Sequence, residues 1–478
     1  MSPRWAGGRF HVWGKPRARH SFPAFGGSAN PCHTTHFLRY RLPARTSAGT
    51  IRKGVKRIMN GAQARIGFVA TRLAGTDGVS LEVQKWVDVL EGMGHACYFF
   101  AGECEWPSDR SLVVPEAHFQ HPEVLAISHD LFDDRVRTPE TSNQVYLFKE
   151  HLKQQLYLFR NRFDLDILIA ENVLAIPMHV PLGLAVAEFV AETSMPTIGH
   201  HHDFAWERPR FALNAAEDYL NAAFPPTLRA VQHVVINSFA QRQLALRRGV
   251  SSTIVPNVMN FEAAPPDRDG IVAQVRDRLS IEPGEFMLLQ PTRIVPRKRI
   301  ERAIELAKRM KLPCVLVISH ASGDEGAQYA DHLRQMIDLF GVEARFASDV
   351  FGMERTVVDG AIARFALADA YLAADLVTYP SAVEGFGNAF LEAIYYRRPL
   401  VVSAYEIYRL DIRPKGFKVV EFDDFVTEET VHRARELLLE PDLVAEMTDL
   451  NYRLGRSHYS FANLERTVGA LLAQCMGL

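Results

Sequence analysis

The sequence predicts an α/β protein with two doubly wound, Rossmann-like domains that face a central cleft. From residue 64 onward, short β-branched or aromatic runs alternate with longer amphipathic runs, a pattern typical of βα units that build parallel sheets. A second series of the same kind begins near residue 286, after a Pro/Asp/Gly-rich stretch at residues 263–270. In two such domains joined by a hinge, we expect the ligand to bind between the carboxyl ends of the two sheets.

The first βα unit is the clearest one in the sequence. A strand at residues 66–70 leads into a loop that contains Gly78, and the following helix ends near Gly94. That helix places four apolar residues on one face, namely Val83, Trp86, Val87 and Leu90. Further strands are predicted at residues 97–100, 167–170, 197–200, 234–236, 286–289, 315–318, 376–379 and 400–402.

These patterns divide the 478 residues into four segments. They are a basic leader at residues 1–61, an N-terminal domain at 62–255, a C-terminal domain at 256–455, and a last helix at 456–478 that is expected to cross back to the N-terminal domain. Hydrophobic residues make up 47% of the chain and charged residues 23%. This composition excludes a fibrous or wholly disordered chain.

The formal net charge of −2 conceals an uneven distribution. Residues 1–58 contain 12 Lys+Arg and no acidic residue, which leaves 42 basic against 56 acidic residues in the rest of the chain. Three interpretations of this leader stay open: residues that precede a true start at Met59, an Arg-rich transit peptide, or a nucleic-acid-binding arm. A chain that begins at Met59 is expected to keep full activity.

Targeting and redox signals are weak throughout the sequence. No apolar run reaches the roughly 18 residues that a membrane span needs, and no signal peptide is recognisable. The five cysteines are scattered without a C-x-x-C pair, so neither a zinc site nor a disulfide framework is predicted. We therefore expect a cytoplasmic protein without membrane insertion.

Two carboxylates and two glycines follow the predicted strand at residues 376–379. Glu384 and Glu392 are eight residues apart, with Gly385 and Gly387 between them. Glycines let a backbone approach a ligand closely, and the start of the next helix favours an anion. On a continuous helix the two carboxylates would be about 12 Å apart, too far for a glycosidase pair. They suit two separated parts of one long ligand better.

A cationic pair precedes this segment by about ninety residues. Arg293 and Lys298 lie in the loop between a predicted strand and a predicted helix. A guanidinium and an ammonium at such a turn can clamp a diphosphate, because both donate charge-assisted hydrogen bonds to phosphate oxygens. Taken alone, such residues are more often solvated surface charges than ligands.

In combination, these residues resemble the family 4 retaining glycosyltransferases of GT-B fold, over residues 62–478. The match consists of Glu384 to Glu392 as E-x7-E, Arg293 to Lys298 as R-x4-K, the junction Val255-Pro256-Asn257-Val258 as a variant of the family's Pro-Asn-Gly hinge, Gly78, and His202-Asp203. The resemblance implies a hexosyltransferase with an N-terminal acceptor domain and a C-terminal nucleotide-sugar domain.

The resemblance also implies a role for each residue matched in the C-terminal domain. Arg293 and Lys298 would neutralise the donor diphosphate and stabilise the leaving nucleoside diphosphate. Glu384 would bind sugar hydroxyls with help from backbone amides, and Glu392 would accept hydrogen bonds from the ribose. The amides belong to Gly385, Phe386, Gly387 and Asn388.

Two residues of the N-terminal domain receive roles from the same resemblance. His202 would face the sugar and complete a catalytic set with Glu384, Arg293 and Lys298, and Gly78 would let the first loop approach donor and acceptor. Transfer would proceed with retention after domain closure. The resemblance implies no metal and no cofactor, with a nucleotide sugar of GDP-mannose or UDP-glucose type as co-substrate.

Several alternatives are weighed against this hypothesis. His200 and His202 could share a face of a strand and bind a metal. Asp164-Leu165-Asp166 resembles a metal-binding D-x-D motif, although a turn that leads into a strand explains it better. A sugar-nucleotide epimerase, a phosphorylase and a non-catalytic sugar- or nucleotide-binding protein share the architecture. A phosphorylase would need a cofactor lysine site, for which the sequence gives no candidate.

The acceptor is the least determined part of the prediction. Residues 71–82 and 199–208 resemble a subgroup of the family that includes mannosylglucosyl-3-phosphoglycerate synthases, which implies GDP-mannose as donor and an anionic glucosyl-3-phosphoglycerate acceptor. Three arginines could add positive charge near the cleft for such an acceptor, although each could equally be an ordinary surface residue. They are Arg72, Arg208 and Arg210.

Overall fold

A computed structural model of the chain describes residues 63–75, 78–133, 136–268, 270–322 and 327–476. The basic leader predicted at residues 1–61 lies outside these described residues, together with the three interpretations of it. The described residues belong to one compact unit, Ala48–Leu478.

The N-terminal domain is built on a seven-stranded parallel sheet. The strands of this domain, two of which lie outside the sheet, are β1 (Arg65–Val69), β2 (Arg72–Leu73), β3 (Ala96–Ala101), β4 (Glu103–Cys104), β5 (Ser111–Val113), β6 (Ile167–Glu171), β7 (Thr197–His201), β8 (Val231–Val235) and β9 (Ser252–Ile254). The sheet has the order β5-β3-β1-β6-β7-β8-β9, and β2 pairs with β4. Both β6 and β7 are buried along their whole length, because helices cover both faces of a parallel sheet.

Six helices accompany this sheet within the described residues. They are α1 (Gly78–Gly92), α2 (Pro122–Phe132), α3 (Pro139–Phe163), α4 (Val180–Thr193), α5 (Glu217–Ala223) and α6 (Ser238–Arg248). The four apolar residues predicted to share a face of α1 are all buried. The helix ends at Gly92, two residues before the predicted end.

The C-terminal domain is built on a six-stranded parallel sheet. The strands of this domain, three of which lie outside the sheet, are β10 (Phe286–Gln290), β11 (Cys314–Ile318), β12 (Ala344–Phe346), β13 (Phe351–Gly352), β14 (Thr356–Val358), β15 (Ala361–Ala366), β16 (Leu376–Tyr379), β17 (Leu400–Ser403) and β18 (Val420–Phe422). The sheet order is β12-β11-β10-β16-β17-β18, while β13, β15 and β14 form a small separate sheet. The sequence analysis did not predict this small sheet, because its strands are short and largely exposed.

The helices of the C-terminal half flank the second sheet and then return to the first. They are α7 (Ile271–Arg278), α8 (Ile300–Met310), α9 (Ala327–Phe340), α10 (Leu367–Ala373), α11 (Asn388–Tyr395), α12 (Glu428–Leu439), α13 (Pro441–Tyr459) and α14 (Phe461–Met476). Leu464, Val468 and Leu471 of α14 are buried in one apolar cluster with Phe68 of β1 and Trp86 of α1. The last helix therefore completes the core of the N-terminal domain.

The predicted fold class is confirmed, with two doubly wound parallel sheets. Each predicted strand overlaps an observed one. The Asp164-Leu165-Asp166 segment is a turn into a strand: Asp164 caps α3 in a left-handed conformation, and a carboxylate oxygen of Asp166 accepts a hydrogen bond from the backbone N–H of Arg65 at 2.9 Å.

Candidate active site

The loop between β16 and α11 contacts the N-terminal domain directly. Nδ2 of Asn237 donates a hydrogen bond to the carbonyl oxygen of Gly385 at 2.7 Å. Nδ2 of Asn257, in the predicted hinge, donates to Oδ1 of Asn388 at 2.6 Å. A Cβ atom at Gly385 would lie 3.5 Å from the carbonyl oxygen of His202. These contacts bring the predicted donor-site loop and His202 to the same boundary between the domains.

Gly387 gives this loop its shape. Its φ angle is +124°, and a Cβ atom there would lie 2.4 Å from the phenolic oxygen of Tyr405. That phenol donates a hydrogen bond to the carbonyl oxygen of Phe386 at 2.7 Å, and α11 begins at the next residue, Asn388. The first N–H groups of a helix have no partner within it and can donate to a bound ligand.

Glu384 is paired with cations from the loop between β10 and α8. Its carboxylate contacts the ammonium of Lys298, and Nη1 of Arg297 lies 3.5 Å from Oε2. Burial alone raises the pKa of Glu384, but Lys298 and Arg297 outweigh burial, and the net pKa is lowered. The carboxylate is therefore ionised and acts as the counter-ion of this loop.

The two predicted diphosphate ligands differ in their surroundings. Lys298 is buried, and desolvation lowers its pKa more than Glu384 raises it, with Arg297 and Arg293 adding like charge. Arg293 is exposed and makes no ion pair with any described residue. The pKa of His320 is lowered to about 4, chiefly by burial and then by the charges of Lys298 and Arg293. The loop thus concentrates positive charge at one end of the second sheet.

Glu392 lies on α11, whereas Glu384 precedes that helix. The two carboxylates therefore do not share one continuous helix, as the 12 Å estimate had assumed. The phenol of Tyr371 donates a hydrogen bond to Oε2 of Glu392 at 2.6 Å. Burial raises the pKa of Glu392 more than the Tyr371 hydrogen bond and the charges of Lys85 and Lys298 lower it.

His202 sits beside a buried carboxylate that the sequence analysis did not identify. Nε2 of His202 lies 3.3 Å from Oε2 of Glu171, and Nδ1 of His200 lies 3.0 Å from the same oxygen. Burial lowers the pKa of His202, but the carboxylates of Glu171, Glu82 and Asp203 together outweigh burial, so the net pKa is raised. Burial raises the pKa of Glu171, and the two histidines bring it down to about 2.

Glu171, His200 and His202 also bring one potential ligand atom each within 4.8 Å of one another. The sequence points to the two histidines as candidate metal ligands but not to the carboxylate, because Glu171 belongs to the neighbouring strand β6. The only signal in the sequence was a glutamate at the carboxyl end of an apolar strand. His201 faces the other way, where its Nε2 atom lies 2.8 Å from Nδ1 of His233.

The three arginines predicted to bind the acceptor lie in different surroundings. Arg72 lines a cavity of about 190 Å³ in the N-terminal domain, together with Glu171 and His179. The guanidinium of Arg208 instead binds Asp203, with Nε 2.7 Å from Oδ2. Arg210 is exposed and its guanidinium lies 4.6 Å from the ring centre of Phe211. Gly78 is the first residue of α1, and a Cβ atom there would contact nothing within 4 Å.

Two facing Rossmann-type sheets with a cationic loop and a carboxylate at their boundary define a glycosyltransferase of GT-B fold. The sequence profile described as "Glycosyl transferases group 1" matches residues 272–451. A Thermotoga maritima protein named mannosylglucosylglycerate synthase is 30% identical over 436 residues, 84% of this chain and 98% of its own length. The chain therefore belongs to the group 1 glycosyltransferases, family 4, which use a nucleotide-sugar donor and an acceptor.

Two proteins of Petrotoga mobilis are also similar to this chain. One, named mannosylglucosylglycerate synthase, is 32% identical over 391 residues, 74% of this chain and 86% of its own. The other, named mannosylglucosyl-3-phosphoglycerate synthase, is 22% identical over 236 residues, 47% of this chain and 44% of its own.

Solved structures share the fold. The crystal structure of a glycosyltransferase from Rickettsia africae ESF-5 superposes with a TM-score of 0.61 at 11% identity, and the match covers 87% of this chain and 99% of that one. Among the described residues of this chain, no helix combines the length and the apolar character that crossing a bilayer requires.

Proposed function

We propose that this glycosyltransferase moves a mannosyl residue from GDP-mannose, with retention, to a hydroxyl of glucosylglycerate. The observation that carries the proposal is the similarity to two mannosylglucosylglycerate synthases, which extends over 98% and 86% of their lengths. The phosphoglycerate synthase matches over 44% of its length at lower identity. The proposal therefore replaces the phosphorylated acceptor suggested by the sequence analysis with its unphosphorylated counterpart.

The donor diphosphate would bind at the loop between β10 and α8. Arg293 is exposed and has no carboxylate partner among the described residues, so it can bind phosphate oxygens directly. Lys298 already contacts Glu384, and a bound diphosphate would become a second counter-ion for it. As the glycosidic bond breaks, both cations stabilise the charge that develops on the leaving diphosphate.

The sugar and ribose would lie along the start of α11. Glu384, ionised and held in place by Lys298, is suited to accept hydrogen bonds from sugar hydroxyls, and the amides of Gly385 to Asn388 add donors. Glu392 keeps one carboxylate oxygen, Oε1, besides the Oε2 that binds Tyr371. That oxygen can accept a hydrogen bond from a ribose hydroxyl.

Retention follows when the acceptor hydroxyl attacks from the face that the diphosphate leaves. The new C–O bond forms as the C–O bond to the diphosphate breaks, and a phosphate oxygen takes the proton of the acceptor. The bond from Asn237 to Gly385 joins the two domains, and the bond from Asn257 of the hinge to Asn388 fixes the start of α11. Such closure aligns the reactants and excludes water, which would otherwise hydrolyse the donor.

The cavity that contains Arg72 is the place we assign to the acceptor. Arg72 is the one cationic side chain among its described lining residues. His179, which also lines it, is neutral because burial lowers its pKa to about 4. One guanidinium matches the single carboxylate of a glycerate moiety, whereas a phosphomonoester would add about two further negative charges.

The test is a matrix of donors and acceptors with release of nucleoside diphosphate as the signal. GDP-mannose and UDP-glucose are each combined with glucosylglycerate, glucosyl-3-phosphoglycerate or no acceptor. We expect turnover to be greatest with GDP-mannose and glucosylglycerate, and an E384A variant that stays folded to lose it. Preference for glucosyl-3-phosphoglycerate would support a mannosylglucosyl-3-phosphoglycerate synthase instead. Binding of the donor without turnover would support a non-catalytic binding protein.

Two further controls separate the remaining alternatives. A sugar-nucleotide epimerase would change the donor sugar without an acceptor, which chromatography of the donor pool detects. Omission of metals with added EDTA tests the expectation that no metal is needed, because turnover should be unchanged.

A further inference from the structure

The side chain of Glu171 is the most deeply buried carboxylate at the transfer site. It ends β6, its side chain is fully inaccessible to solvent, and Oε2 lies within 3.3 Å of a ring nitrogen of both His200 and His202. We propose that Glu171 is a positioning residue for the transfer reaction, which holds His202 by Nε2 and so fixes the orientation and tautomer of its ring. This inference rests on the proposed function, because the role it assigns is exerted in the transfer step.

The backbone around His202 is fixed independently of its ring. Oδ1 of Asn172 accepts a hydrogen bond from the backbone N–H of His202 at 3.1 Å. Nδ2 of Asn172 donates to Oδ1 of Asp203 at 2.9 Å. Asn172 thus locks the end of β7, and the direction of the imidazole remains to be set by a partner of its own.

Glu171 can set that direction because it is rigid and acts only as an acceptor. An ionised carboxylate accepts an N–H from Nε2, which places the proton of neutral His202 on that nitrogen. The other ring nitrogen, Nδ1, is then an acceptor in the neutral ring and a donor in the charged ring. Because Glu171 occupies Nε2 and the side chain of His202 is 11% exposed, Nδ1 is the ring nitrogen that we assign to contact with a substrate.

A bound metal is a competing explanation for the same three side chains. A metal-ligating histidine normally donates its second ring N–H to a carboxylate, a carbonyl or water. Nε2 of His200 is buried without such a partner among the described residues, and the ring packs 4.5 Å from Trp86. Hydrogen bonds from His200 and His202 to Glu171 account for the geometry without a metal.

A direct contact between Glu171 and the acceptor is the second competing explanation. Glu171 also lines the cavity that contains Arg72. A residue that binds the acceptor changes mainly the KM for it, whereas a residue that orients His202 changes kcat. The two roles also predict different double variants. If Glu171 acts through His202, replacing both residues should cost no more kcat than replacing His202 alone, whereas independent roles should give additive losses.

The kinetic experiment compares E171Q, H202N and the double variant with the wild-type enzyme, with GDP-mannose and glucosylglycerate as substrates. E188Q is the matched control, since Glu188 of α4 is also paired with two cations, Lys149 and Lys153, but on the outer helices. We expect E171Q to lower kcat by about 10- to 100-fold with little change in the acceptor KM, and the double variant to be no slower than H202N. Additive losses, or a loss confined to the acceptor KM, would overturn the proposal.

A second experiment needs no turnover and therefore stands apart from the proposed function. At a pH above the raised pKa of His202, nitrogen-15 NMR of histidine-labelled protein should show one neutral tautomer of His202, protonated at Nε2, in wild type and E188Q and a mixture in E171Q. An unchanged tautomer in E171Q, or a tightly bound metal that is present in wild type and lost in E171Q, would refute the inference. If E171Q does not fold, E171D is the substitute, because it keeps the carboxylate but withdraws it by one methylene from the His202 ring. An undiminished kcat in E171D would refute the proposal as well.

Discussion

At the scale of single residues, the sequence located the residues proposed to bind the donor but not the side chains that contact them. Arg293, Lys298, Glu384 and Glu392 follow predicted strands, so their positions at the carboxyl edge of the second sheet could be inferred from spacing. Glu171 could not, because it meets His202 through the pairing of two strands whose order no local pattern encodes. Arg297 and Tyr371 were missed for the same reason, since each acts on a carboxylate far away in the sequence.

The cations of the donor loop provide the first prediction. Replacing Arg293 or Lys298 with alanine removes a group that we propose stabilises the leaving diphosphate, so each variant should lower kcat by about 100- to 1,000-fold. Steady-state turnover of GDP-mannose is the measurement. Lys308→Ala, an exposed lysine at the end of α8, should behave as wild type. Unchanged activity in both loop variants would contradict the donor-site assignment.

The buried His201–His233 pair gives the second prediction, on stability. Burial lowers the pKa of His233 from its ordinary value of 6.5 to about 4, and burial with the neighbouring histidines lowers that of His201. Between these values the unfolded chain binds more protons, so the free energy of unfolding should fall as pH drops from about 6.5 to about 4. Denaturant unfolding of wild type and H233Q at several pH values measures it. The slope should be smaller in H233Q, and an equal slope would disprove the role of the pair.

At the scale of elements, one glycine determines how the loop between β16 and α11 enters that helix. The sequence predicted close approach of a ligand at Gly385 and Gly387, and the structure adds a tighter constraint on Gly387 from within the domain. Its positive φ and the phenol of Tyr405 leave no room for a side chain. No local pattern could have revealed this contact, because Tyr405 follows the next strand of the sheet, β17.

Gly387→Ala is the third prediction. The strained φ and the clash should destabilise the protein by about 1–3 kcal/mol and should lower turnover by displacing the amides that follow Glu384. Gly92→Ala, at a helix end with open space around it, is the matched control and should be near neutral. Thermal unfolding and turnover are measured on both. Adding Tyr405→Phe should relieve part of the loss in Gly387→Ala, and a double variant no better than the single one would show that the clash is unimportant.

At the scale of the whole molecule, two facing sheets could be predicted because each βα series carries its own periodic pattern. The relation between the domains could not, since it depends on single polar contacts such as Asn237 to Gly385 and on the packing of α14. Leu472 of α14 is 2% exposed and joins the core of the N-terminal domain. The helix thus ties the end of the chain to the sheet that holds His202.

Leu472→Ala is the fourth prediction. Removing this buried side chain should lower the free energy of unfolding by about 2–5 kcal/mol. Leu443 of α13, which is 40% exposed, is the matched control, and its replacement by alanine should cost much less. Denaturant titration compares the two variants, and equal losses would show that α14 does not support the core.

The packing of α14 also sets an order of events during synthesis. A ribosome releases β1 and α1 early, but the apolar surface that they share with Leu464, Val468 and Leu471 stays uncovered until nearly the whole chain has emerged. The C-terminal sheet, whose strands all lie between residues 286 and 422, has no such wait. The first domain to be made is therefore the last to be finished.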